Sequence, residues 1–310
     1  MKVVFMGTPD FAVPCLQKII DEGHKVIGVV TQPDKPKGRG KKLSMPPVKE
    51  LALKYHIPVY QPLKARDEEF VEILKNLNPD IIIVVAFGQI LPKSILDIPK
   101  YGCVNVHASL LPRYRGAAPL NWVIINGEEK TGVTTMYMDE GLDTGDMILK
   151  SEIPLDDKIT AGELHDKMMI DGANLLKETM DLIEKGEAPR EKQNDDDTCY
   201  SPIMKKTLGN IDWSKSAKDI HNLVRGVNPW PSAYTTYNGN TMKVWETNVL
   251  DNVSDKTPGT IISVDKDGIK VSTGKGIINI KEIQMAGKKR VKVQEYIKGN
   301  NIDTDIVLGN

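Results

Sequence analysis

Apolar residues along the first half of the chain fall in short unbroken runs, separated by stretches of helical spacing. Lys2–Met6, Val26–Val30, Ile81–Val85 and Val104–His107 are rich in β-branched residues and too short for helices. Apolar runs of this length without alternation are buried on both faces, as parallel strands are. Between them, Phe11–Asp21, Pro46–Tyr55 and Glu68–Leu77 repeat apolar residues every three or four positions, which predicts amphipathic helices. Asp10 and Asp67 stand where an N-cap would satisfy first-turn amides. Strand–helix alternation of this kind predicts an α/β fold: a doubly wound, mostly parallel, Rossmann-like sheet. Thr131–Met138 and Met147–Pro154 then read as an antiparallel pair, followed by a long helix from Ala161 to Lys185.

The texture changes at Gly186–Asp197, a polar and charged stretch without period that reads as the core of a linker. After a short helix at Ala217–Val224 come brief strands at Thr241–Val249, Gly259–Val264, Ile269–Thr273 and Ile277–Met285, punctuated by Asn-Gly and Asp-Gly turns. Many short strands with such turns predict a small β-barrel, and the five-stranded oligonucleotide-binding (OB) type is the natural candidate. The expected division is therefore residues 1–188 as a first domain, 189–205 as linker and 206–310 as an OB-like domain.

Charge adds one asymmetry. The chain carries 41 basic and 42 acidic side chains, a net of −1 that argues against wholesale nucleic-acid binding. Residues 204–310, however, hold 16 Lys/Arg and 11 Asp/Glu, a net of +5, against −6 for residues 1–203. A basic second half suggests a polyanionic partner, although a solvated lysine-rich surface has the same composition. Cys15, Cys103 and Cys199 are far apart and show neither a disulfide framework nor metal-ligand spacing. Met1 opens directly into a strand, and no apolar run reaches the roughly 20 residues of a membrane span. A cytoplasmic protein without a bound metal is expected.

The candidate chemistry is concentrated in NVHASLLPRYRG at Asn105–Gly116. Residues two apart on a strand share a face, so Asn105 and His107 project together while Val104 and Val106 face the other way. Buried polar groups without partners cost about 1–3 kcal/mol each, so this pair makes better sense at the mouth of a cleft. There an amide can polarise a carbonyl and an imidazole can move a proton. His24, His56, His165 and His221 sit in ordinary helical or loop contexts.

The stretch Asp139–Asp146 carries four carboxylates in eight residues. Most are solvated turn residues, and one of them can reach back to orient the histidine or a water, but spacing does not say which. At Gly7 the glycine fingerprint of a dinucleotide site fails, because a single glycine is followed by Pro9. A nicotinamide cofactor is not expected, and Gly7 is read as permitting a close turn into the helix. Thr31–Ser44 is a Pro/Gly-punctuated loop with five basic residues and one acid, expected to be exposed and mobile. Arg39, Lys41 and Lys42 in it are candidates for phosphate contact.

Taken together, these motifs resemble the methionyl-tRNA formyltransferases, within the folate-dependent formyltransferases, over essentially the whole chain. The resemblance rests on MGTPDFAVP from Met6, TQPDKPKGRGKK from Thr31, AFGQILP from Ala86, Asn105–Pro119 and LDTGDM from Leu142. SLLP at Ser109–Pro112 belongs to the wider folate-dependent family, while GRGKK and RYRGAAP narrow the match to the tRNA enzymes. Tyr114 stands where many relatives have Trp.

The resemblance implies formyl transfer from 10-formyltetrahydrofolate, a co-substrate, to the α-amino group of methionine on initiator methionyl-tRNA. It implies Asn105, His107 and Asp143 as the catalytic set, Ser109, Leu110, Leu111 and Pro112 at the folate, and the loop around Arg39 at the tRNA acceptor end. A basic C-terminal barrel would grip the acceptor arm, with Lys205, Lys206, Lys288, Lys289 and Arg290 as candidate phosphate contacts. A monomer is expected. The alternatives are a formyltransferase for a small amine, a formylfolate hydrolase, and a non-catalytic folate- or RNA-binding protein.

Overall fold

The computed structural model describes residues 1–37, 42–250 and 252–309. The chain packs as two units, one of Met1–Pro119, Lys130–Ile153 and His165–Ser201, the other of Leu120–Glu129, Pro154–Leu164 and Pro202 onward. Residues 189–201, which read as linker in the sequence, group with the first unit.

The strands of the first unit are β1 (Lys2–Gly7), β2 (Lys25–Val30), β3 (Lys35–Lys37), β4 (Lys42–Ser44), β5 (Val59–Tyr60), β6 (Ile81–Val85), β7 (Cys103–His107), β8 (Arg115–Gly116), β9 (Lys130–Tyr137), β10 (Met147–Pro154) and β11 (Tyr200–Ser201). The helices of this part of the chain are α1 (Val13–Asp21), α2 (Pro47–Lys54), α3 (Glu68–Leu77), α4 (Lys93–Leu96), α5 (Pro119–Ile125) and α6 (Ala161–Lys185). Seven strands form one sheet in the order β10-β9-β7-β6-β1-β2-β5. The pairings among β5, β2, β1, β6 and β7 are parallel, and β9 runs antiparallel to β7. This is the mostly parallel α/β sheet the apolar runs predict.

Every residue of β6 and β7 is buried, because helices cover both faces of the middle strands. Strand order reverses between β1 and β6, the switch point beside which α/β folds place their sites. Gly7 ends β1 at that point. A Cβ there would lie 2.9 Å from the Val85 carbonyl and 2.8 Å from Phe5, so only glycine lets the chain turn so close to β6.

The caps differ in detail from expectation. Asp67 precedes α3 but makes no side-chain cap bond, and Asp10 lies inside a 3₁₀ turn, accepting from its neighbour Phe11 N. Within the loop at Thr31–Ser44, expected to be exposed and mobile, β3 and β4 pair as a hairpin, with Lys35 opposite Ser44 and Pro36 opposite Leu43. Lys49 Nζ bonds Asp34 (2.8 and 2.9 Å) and Gln61 (2.8 Å) and so anchors the base of that hairpin. Arg39 and Lys41 lie outside the described residues, and Lys42 contributes its backbone to β4.

The second unit holds α7 (Ala217–Gly226), α8 (Val293–Tyr296) and strands β12 (Ala233–Tyr237), β13 (Asn240–Leu250), β14 (Ile261–Asp265), β15 (Gly268–Ser272), β16 (Ile277–Met285) and β17 (Val291–Lys292). Their antiparallel path is β12-β13-β16-β15-β14, with β17 on β16. Asn238 and Gly239, both at positive φ, make the tight β12–β13 turn. Residues 305–309 tie the two ends of the path together: Ile261 N donates to Ile306 O, Leu308 N to Gly259 O, and Gly309 N to Thr236 O. Segments drawn from the first half of the sequence complete this unit. Arg225 donates to Asp156 O (3.0 Å), and Asn121 to Gly226 O (2.9 Å).

Candidate active site

Strand β7 delivers Asn105 and His107 as its alternation predicts. Val106 packs on α6, where a Cβ on Gly172 would lie 3.1 Å from its Cγ1, so the polar pair occupies the opposite face. The two are more enclosed than a cleft mouth implies, at 9% and 6% exposure. Burial is tolerable for His107 because its Nε2 lies 3.0 Å from the Tyr114 carbonyl. A carbonyl only accepts, so Nε2 carries the proton and Nδ1 is left as the nitrogen that gains or loses one. Nδ1 faces Asp143 Oδ1 at 3.7 Å, too far for a direct hydrogen bond. The Asn105 side chain makes no hydrogen bond to the described residues, so its amide protons are available to a ligand.

Geometry separates the four acids of the loop after β9. Asp139 accepts from Gly141 N (3.0 Å) and the Thr144 hydroxyl (2.6 Å), the work of a turn residue. Asp146 faces Arg190 at 3.6 Å, and Glu140 is exposed. Asp143 alone turns inward to His107, with its other oxygen accepting from Gly116 N at 2.8 Å. It does so at φ 55, a left-handed conformation that costs a non-glycine residue about 1–3 kcal/mol and needs support from its surroundings.

The turn after β7 is held from below. Thr134, opposite His107 on β9, donates its hydroxyl to Ser109 O (2.7 Å) and accepts from Leu111 N (3.1 Å). The Ser109 hydroxyl donates to Arg113 O (2.7 Å), and Leu111 is buried against Met136 and Met147. Leu110 and Pro112 are half-buried, with side chains not committed in this way.

Four contributors escaped sequence reasoning. The Tyr114 carbonyl and Thr134 act through backbone and hydroxyl contacts that leave no motif. Arg115 (2% exposed) and Gln193 meet at 2.9 Å, although they are 78 residues apart in sequence. The nearest signal was the arginine of the RYRG motif, and nothing marked its partner. Among the described residues no group of three or more His, Cys, Asp or Glu could hold a metal ion, and no helix is long and apolar enough to cross a membrane. The candidate phosphate contact Arg290 is ion-paired to Glu282 and lies 4.8 Å over the Trp245 ring.

A sheet of this order, with a buried amide and imidazole at the end of β7 and a half-buried carboxylate facing the imidazole, is a frame suited to group transfer. Residues 1–180 match the family described as formyl transferase, and residues 203–301 that described as formyl transferase, C-terminal domain. The chain belongs to the formyl transferase family. Over the full length of both chains it is 74% identical to the methionyl-tRNA formyltransferase of Clostridioides difficile (strain 630). It is 56% identical, again over both whole chains, to that of Alkaliphilus oremlandii (strain OhILAs). Among solved structures it is similar to an N-formyltransferase from Helicobacter canadensis, in complex with folinic acid and dTDP-3-aminofucose. That likeness has a TM-score of 0.70 at 21% identity and covers 92% of this chain and 99% of that one.

Proposed function

We infer that this chain transfers the formyl group of 10-formyltetrahydrofolate to the α-amino group of methionine on initiator methionyl-tRNA, yielding N-formylmethionyl-tRNA for translation initiation. The observation that carries the mechanism is the pairing of an uncommitted Asn105 amide with a His107 whose one free ring nitrogen faces Asp143 at 3.7 Å. As the amine attacks the formyl carbon, negative charge builds on the formyl oxygen, and the Asn105 amide and His107 Nδ1–H donate to it. The attacking nitrogen must lose a proton while the folate nitrogen gains one. His107, with a water oriented by Asp143, exchanges that proton, and Asp143 steadies the imidazolium. No step asks for a metal.

Folate is proposed to lie along Ser109–Pro112, touching Leu110, Pro112 and the backbone, since the Ser109 hydroxyl and the Leu111 side chain are engaged within the protein. Arg39, Lys41 and Lys42 are proposed to contact the acceptor-end phosphates, and Lys49, Asp34 and Gln61 steady the base of the hairpin β3–β4. The net +5 of residues 204–310 supports a tRNA-binding role for that C-terminal part of the second unit. We propose further that the enzyme works as a monomer in the cytoplasm, where its tRNA substrate is used.

Transfer of labelled formyl from 10-formyltetrahydrofolate tests the reading, with methionyl initiator tRNA, glycinamide ribonucleotide and water as rival acceptors. Transfer to the tRNA alone is expected. Transfer only to the small amine, or release of formate, would keep the site and overturn the substrate.

A further inference from the structure

Gln193 lies in the stretch that reads as a linker, yet its carboxamide is fully used at the active-site loop. Its Nε2 donates to both Asp143 O and Gly145 O at 2.8 Å, and its Oε1 accepts from Arg115 Nε at 2.9 Å. Arginine only donates, so the orientation of the amide is forced: oxygen toward Arg115, both N–H groups toward the carbonyls. Arg115 is itself buried at 2% exposure and is held by Asp195 Oδ1 at 2.8 Å. Asp143 needs such a support, because it is a non-glycine residue at φ 55 on a loop otherwise rich in exposed positions.

We propose that Gln193 is a positioning residue for the formyl-transfer reaction. It clamps the carbonyls of Asp143 and Gly145 so that the Asp143 carboxylate stays between His107 Nδ1 and Gly116 N. This rests on the proposed role of Asp143. Without the clamp the loop relaxes out of the left-handed conformation and the carboxylate leaves His107. Misplacement of a catalytic group by about 1 Å can cost about 10²-fold in rate.

The experiment measures formyl transfer to methionyl initiator tRNA by full-length Gln193→Ala, Gln193→Glu, Asp143→Asn and the Asp143→Asn/Gln193→Ala double variant. Gln193→Glu keeps size and the Arg115 contact but sets a carboxylate oxygen against two carbonyls. Both Gln193 variants should lose kcat by about 10²-fold, with KM for folate within about twofold if the loss lies in the transition state. Because Gln193 acts through Asp143, the double variant should be no slower than Asp143→Asn alone. In Gln193→Ala the Gly116 amide proton should move upfield in NMR spectra as its carboxylate acceptor is withdrawn. Multiplicative losses in the double variant, or full activity of Gln193→Ala beside a crippled Asp143→Asn, would overturn the proposal alone. Full activity of Asp143→Asn would overturn the reading of Asp143 together with it.

Discussion

At the residue scale, the end of β7 keeps an imidazole inside the protein because one ring nitrogen is spoken for and the other is not. Replacing His107 with Ala should abolish turnover while folate affinity, read by equilibrium titration, stays near wild type; a pure binding protein would be indifferent. Asn105→Ala should lower kcat by about 10²–10³-fold, the usual loss for one oxyanion donor, checked by single-turnover kinetics with saturating folate. Asn105 and His107 were legible because alternation on an apolar strand exposes any polar pair. Asp143 was not legible among its three acidic neighbours, since only the fold shows which carboxylate turns inward and which are occupied by Thr144 or Arg190. The cysteines follow the same logic. Burial pushes the Cys15 and Cys103 thiols up to about 12, and neither forms a disulfide.

At the element scale, the loop joining β9 to β10 turns under its own strand. A Cβ on Gly145 would lie 1.8 Å from the Tyr137 carbonyl, so Gly145→Ala must displace backbone and with it the Asp143 turn. Its expected signature is a lower thermal midpoint together with lost transfer activity, whereas Gly186→Ala, with open space around its Cβ, tests strain at positive φ (74°) without a clash. Thr134 bridges β9 to the SLLP turn through one hydroxyl. Thr134→Val strands the Leu111 amide and should cost about 1–3 kcal/mol of stability, measured by denaturant unfolding. The strands and long helices were readable from periodicity. The pair β8–β11 was not, because two-residue strands carry no period and owe their pairing to contacts between Arg115–Gly116 and Tyr200–Ser201.

At the scale of the whole molecule, each unit carries its own closure and its own response to solution conditions. In the second unit His221 is held by Asp157 O (2.6 Å) and Thr247 (2.9 Å), and burial lowers its pKa from 6.5. A base with a depressed folded pKa binds more protons when unfolded, so stability is full above pH 6.5 and is lost as pH falls through the folded value. His221→Gln should flatten that acid loss in thermal midpoints measured on the mildly acidic side of pH 6.5; an unchanged slope would remove His221 from it. Removal of residues 305–310 should expose the edges that the tail bridges at Gly259–Ile261 and Thr236, lowering the unfolding midpoint of this unit.

What the sequence determined by itself was the local and the periodic: which stretches become strands or helices, that a parallel sheet precedes an antiparallel one, and that Asn105 and His107 share a face. These follow from hydrophobic period and backbone stereochemistry, which act over a few residues. Tertiary structure alone decided what depends on contacts between distant segments. It chose Asp143 from four acids, took the apparent linker into the first unit, and set Gln193 against Arg115 across 78 positions of sequence. It also drew residues 120–129 and 154–164 into the second unit. Hydrogen bonds of this kind depend on where the packed core brings a side chain, and no local pattern of residues encodes that.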